Sequence, residues 1–97
     1  MNAKERLIYN QIIEICQRHN AAKVVLFGSR ARKENGPKSD IDLAVYGCLD
    51  FRELYFDLNE NVRTLLEFDL IDMERKGLSE ELISEIERDG VVLYEKI

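Results

Sequence analysis

Asp40 and Asp42 stand two positions apart in the run Ser39-Asp40-Ile41-Asp42-Leu43-Ala44-Val45-Tyr46. In an extended strand that spacing puts both carboxylates on one face, with Ile41, Leu43 and Val45 on the other. Two carboxylates roughly 7 Å apart on a strand otherwise made for burial repel one another and lose hydration. A divalent cation resolves that conflict, and magnesium favours carboxylate oxygens together with phosphate oxygens and water. The same alternation would also arise, without any ligand, on an edge strand with one wet face.

A phosphate-binding counterpart lies just upstream. Val24-Val25-Leu26-Phe27 is a short β-prone run that ends at Gly28. Gly28 lets the backbone turn tightly and approach a ligand, and Ser29 opens a short helix whose free amides attract anions. Ser29 adds a hydroxyl, while Arg30 and Arg32 add positive charge. A strand, Gly-Ser and a helix also occur together as an ordinary cap. A third acidic candidate is Asp69, between Phe68 and Leu70, with Glu67 on its face and Asp72 on the other. If its strand neighbours that of Asp40 and Asp42, Asp69 completes a metal site and takes or orients the proton of an attacking hydroxyl. Otherwise it is an ordinary exposed carboxylate.

These residues need a scaffold, and 97 residues suffice for a single domain, 1–97. Hydrophobic residues at 45% and charged residues at 34% describe an ordinary globular chain. No run approaches the roughly 20 apolar residues that span a bilayer, and residues 1–6 lack a signal-peptide core, so the expected location is cytoplasmic and off the membrane. Cys16 and Cys48 are too far apart in sequence for a C-x-x-C pattern and are expected as reduced thiols. A net charge of −5 argues against a polymerase-like grip on long nucleic acid, but not against a mononucleotide whose charge is met by magnesium and a few arginines.

Hydrophobic spacing predicts a first helix from Lys4 to about Arg18, with Leu7, Ile8, Ile12, Ile15 and Cys16 as its stripe. A strand at Val24–Phe27 follows, then a brief helix from Ser29 to about Glu34, stopped by Asn35-Gly36-Pro37. A second strand covers Ser39–Tyr46. Asp50 caps a third helix, with Leu49 stapled onto Leu54, and Leu54, Leu58, Val62 and Leu65 form one face that frays near Leu66. Phe68–Met73 is a third strand, Ser79 caps a last helix ending at Gly90, and Val91–Tyr94 is a fourth strand. The order predicts an α/β (α+β) fold, a sheet of about four strands flanked by helices.

Gly28-Ser29, residues 30–38, then Ser39-Asp40-Ile41-Asp42-Leu43 resembles the signature of the DNA polymerase β-like nucleotidyltransferases. The short chain and the run Leu26-Phe27-Gly28-Ser29-Arg30-Ala31-Arg32 most resemble their minimal nucleotidyltransferases, and Phe68-Asp69-Leu70-Ile71 fits the strand of the third carboxylate. The resemblance implies a nucleotidyltransferase-like mixed sheet. It further implies that Gly28 and Ser29 hold the triphosphate of ATP, beside Arg30, Arg32 and Ser39 as further nucleotide-binding candidates, and that Asp40 and Asp42 bind two magnesium ions while Asp69 joins one of them and assists deprotonation, the three acids being the catalytic residues. One departure is Lys33, where family members commonly carry glycine.

Members of this kind act as antitoxins beside a HEPN-domain toxin, so the resemblance implies transfer of AMP to a tyrosine hydroxyl of such a partner. Tyr55, beside the apolar stripe of the third helix, is a candidate for that interface. Two alternatives carry different expectations. A non-catalytic antitoxin would silence its partner by covering it, and a transferase acting on a small hydroxylated molecule would need a partner or second copy to complete its pocket.

Overall fold

The computed structural model describes residues 2–97, so Met1, the first residue of the expected domain, lies outside the described residues. The first helix, α1, spans Ala3–Arg18, and its Asn2 cap accepts a hydrogen bond from Glu5 N at 2.8 Å. Its buried face is Ile8, Tyr9, Ile12, Ile15 and Cys16, whereas Leu7 is 60% exposed. With 3.6 residues per turn Leu7 lies roughly 140° around the helix from the centre of that stripe, so Tyr9 takes the core position expected of Leu7.

Strand β1 is Lys23–Phe27, β2 is Ile41–Tyr46, β3 is Phe68–Asp72 and β4 is Val91–Glu95. They form one mixed sheet in the order β3-β2-β1-β4. β1 pairs antiparallel with both β2 and β4, while β2 and β3 run parallel. The parallel pair is joined across the sheet by helix α3, Phe51–Asn61, as such a pair requires. Strand alternation divides the core. Val24, Leu26, Ile41, Leu43, Val45 and Phe68 pack with α1 and α3 on one face. Val25, Phe27 and Ala44 pack on the other against Ile86 of helix α4, Glu80–Asp89.

Several expected boundaries move, each for a local reason. Helix α2 covers only Gly28–Ala31, because Lys33 takes a left-handed φ of 61° and cannot continue the helix. That is the conformation for which glycine is the default residue. Strand β2 begins at Ile41 and not at Ser39, whose carbonyl is engaged by Arg30, and its pairing starts with Ile41 N on Glu67 O at 2.9 Å. Helix α3 stops at Asn61: Val62 is extended, Arg63 N donates to Gln11 Oε1 at 3.0 Å and Leu66 N to Thr64 Oγ1 at 3.1 Å. Such side-chain acceptors compete with helical bonds. Leu65 is therefore fully exposed, off the face of Leu54, Leu58 and Val62, and Leu49 is fully exposed too, so the Leu49 staple does not form.

The caps at Asp50 and Ser79 accept from Glu53 N and Leu82 N, each at 3.1 Å. Among the described residues no helix is long and apolar enough to cross a membrane, and both cysteines are free thiols.

Gly90 ends α4 for a reason of space and not of handedness. Its φ is −64°, and a Cβ there would collide with the Ile86 carbonyl and a Val25 methyl. Gly90→Ala is therefore expected to lower the unfolding free energy by about 1–3 kcal/mol in urea titration. A change within error would show that the α4–β4 junction shifts freely.

Candidate active site

Asp42 is the second residue of β2 and Asp69 the second residue of β3, and the parallel register sets them directly side by side. Neighbouring strands lie about 4.8 Å apart, and residues in register point to the same face. Asp40 sits just before β2, exposed, two positions from Asp42. On the other side of Asp42 the register places Phe27, the last residue of β1. The three carboxylates thus occupy one end of the sheet, on the face that carries α4.

Gly28 follows Phe27 with a φ of 73°, and a Cβ built on it would overlap the Asp42 carboxylate. The glycine is thus required twice, for a left-handed turn and for the volume Asp42 occupies. Its missing side chain leaves room for the Asp42 carboxylate. Ser29, half-buried, accepts from Glu34 N through its carbonyl at 2.9 Å, which closes the turn after α2.

The two arginines part company. Arg30 is only 7% exposed, with Nε and Nη2 donating to Ser39 O at 3.0 and 2.9 Å and Nη2 also to Pro37 O at 3.4 Å. Its Nη1 lies 3.6 Å from Glu5 Oε2 on α1. Arg30 is a clamp on the loop that delivers Asp40 and Asp42. Ser39 belongs to the same device, its Oγ accepting from Gly36 N at 2.9 Å. Arg32 is more open, contacting Glu34 Oε2 at 3.3 Å and Glu85 Oε2 of α4 at 3.4 Å.

Burial, then the charges of Asp69, Asp40 and Glu85, push the Asp42 carboxyl up to about 6, and Arg32 opposes them. Glu85 escaped the sequence reading because it lies on a distant helix and carries no local pattern. Its one signal is its place beside Ile86, which packs on the sheet.

The carboxylates form an edge, not a cage: among the described residues no three acidic, His or Cys side chains converge as a ready-made metal cluster. Magnesium does not need one, since it is commonly held by one or two carboxylates plus substrate phosphates and water. Hard oxygens crowded around a carboxylate that resists ionisation fit that ion, whose charge would relieve the crowding. The edge is also open. The shallow depressions lined by Glu80, Glu81, Ser84 and Arg88, and by Gln11, Glu14, Ile15, Arg18 and Asn61, lie away from it.

A family model described as Polymerase beta, Nucleotidyltransferase matches residues 10–97. No curated protein matches the chain. Solved structures do. A chain of the MntA-HepT toxin-antitoxin is 26% identical, with 94% of this chain and 73% of that one covered and a TM-score of 0.65. A toxin-antitoxin with AMP-PNP gives 23%, 91%, 73% and 0.69. The tri-AMPylated Shewanella oneidensis HEPN toxin in complex with MNT antitoxin gives 22%, 95%, 73% and 0.64. The last two likenesses show the fold.

Two outcomes are expected from these contacts. Asp42 is raised from 3.8 in the folded state, so the folded form holds the extra proton between about 4 and 6 and stability falls as pH rises through that window. Asp42→Asn should accordingly stabilise the metal-free protein in EDTA at pH 8 and have little effect at pH 3.5, read by urea unfolding; a loss of stability at pH 8 would contradict the crowding. Arg30→Ala should lower stability by about 2–4 kcal/mol, since it removes a buried side chain together with its part-buried hydrogen bonds to the Pro37 and Ser39 carbonyls. Proteolysis should then cut within residues 33–40, and a wild-type digestion pattern would dismiss the clamp.

Proposed function

We propose, for a chain that belongs to the polymerase beta nucleotidyltransferase family, that it transfers AMP from ATP to a tyrosine hydroxyl of a HEPN-type partner and so acts as the antitoxin of a cytoplasmic two-protein module. The observation that carries this reading is the register that sets Asp69 beside Asp42, next to the turn at Gly28. The AMP-PNP complex and the AMPylated HEPN toxin among the structural neighbours support the choice of nucleotide and acceptor.

In this reading Asp40, Asp42 and Asp69 would hold magnesium, which supplies positive charge for the triphosphate and for the oxygens that gain charge during transfer. The chain's own residues do the positioning. Gly28 and Ser29 present backbone and hydroxyl to the phosphates, and Arg32 offers its remaining donors at the rim. Arg30 and Ser39 keep the loop fixed so that Asp40 and Asp42 do not drift. Asp69, exposed near the start of β3, accepts the proton of the tyrosine hydroxyl. The phenolic oxygen then bonds to the α-phosphorus, the bond to the bridging oxygen breaks, and pyrophosphate leaves.

An open carboxylate edge suits an acceptor carried on another protein, because the partner's own surface can exclude water where Asp40 and Asp69 lie exposed. With labelled ATP, magnesium and a HEPN partner, label is expected on a partner tyrosine. EDTA should abolish it, and Asp42→Asn should reduce it by about a hundred-fold or more. Full neutralisation of the partner by that variant would overturn the catalytic reading.

A further inference from the structure

Arg32 is the cation whose charge acts on Asp42, and acids already hold it. Glu34, two residues on, takes its Nε, and Glu85, across from α4, takes its Nη1. Asp89 faces it as well, although Arg88 pairs with Asp89 at 2.9 Å. The Arg32 and Glu85 side chains are 34% and 35% exposed, so the pair is partly screened and exchangeable. Glu85 is also held in place: Ile86, its neighbour, is 2% exposed and packed against Val25, Phe27 and Ala44.

Resting on the nucleotidyltransferase reading, we propose that Glu85 is a specificity-determining residue, a fixed anion that occupies Arg32 and so makes nucleotide binding depend on the cation that accompanies it. A bare triphosphate approaching this edge meets Asp40, Asp42, Asp69 and Glu85, and at Arg32 it must share a guanidinium whose Nη1 and charge Glu85 already takes. A triphosphate already carrying a divalent cation presents less charge to the same acids, and its cation gains from them. Glu85 is not placed to touch the reacting atoms. Its effect runs through Arg32, and its seat on α4 makes the position of that helix part of nucleotide selection.

The experiment titrates wild type, Glu85→Gln, Arg32→Gln and the double variant with a fluorescent ATP analogue, once in EDTA and once in magnesium. Glu85→Gln is expected to tighten binding in EDTA by about two- to five-fold, as for loss of one partly screened competing charge, and by less in magnesium. In the Arg32→Gln background the gain should vanish, which a role confined to packing would not produce. Unchanged or weaker binding in EDTA, or a gain that survives without Arg32, overturns the inference. Wild type that binds the analogue in neither condition overturns the nucleotidyltransferase reading, and this inference falls with it; binding by wild type with no effect at Glu85 overturns the inference alone.

Discussion

Crowding of like charge around Asp42 is the constraint on which the rest of the sheet end turns. A parallel pairing that puts Asp69 in register with Asp42 would normally be disfavoured, because like charges directly opposite each other destabilise a sheet. It is sustained by what surrounds it. Three apolar residues of β2 and their neighbours on β1 and β3 lock the strand in register from the opposite face, where a slip by one residue would turn Ile41, Leu43 and Val45 outward. The core therefore holds the carboxylates together against their own repulsion. The unfavourable electrostatics become a standing demand for positive charge.

Of the two nearby arginines, Arg32 answers that demand. Arg30 is committed to structure, with its fork closed on the carbonyls of Pro37 and Ser39, so its charge fixes the loop and cannot follow a ligand. Arg32 is committed loosely and shared among acids. Two arginines separated by a single residue thus do different work because α2 is a single turn: Arg30 points back toward α1 while Arg32, its cap, faces α4. Lys33, left-handed immediately after them, gives the loop its direction.

Local features were legible in the chain. Caps at Asp50 and Ser79 follow from side chains that accept from amides three residues on, and the strands follow from β-prone runs bounded by glycine or polar turns. The face of Asp42 follows from alternation alone. What escaped was non-local or competitive. Nothing near Arg30 in sequence announces that its partners are Glu5, Pro37 and Ser39, and nothing near Asp42 announces Glu85. The end of α3 depended on Gln11 from another helix offering an acceptor to Arg63, and the spacing of Leu65 gave no hint of it. Gly28 was legible as a turn but not as the space for Asp42, since that requires knowing that β1 and β2 are antiparallel neighbours.

The openness of the carboxylate edge and the composition of the chain fit together. An enzyme that encloses a small acceptor needs walls, and this sheet end has α4 on its face and exposed carboxylates at Asp40 and Asp69. In the proposed reaction a partner protein would supply those walls. The charge bears on the proposed substrate as well: a net charge of −5 repels an extended polyanion along its length, whereas a single triphosphate would meet the acids at one place and could bring cations to them. Charge and geometry are thus consistent with the proposed mononucleotide donor and with an acceptor that brings its own surface.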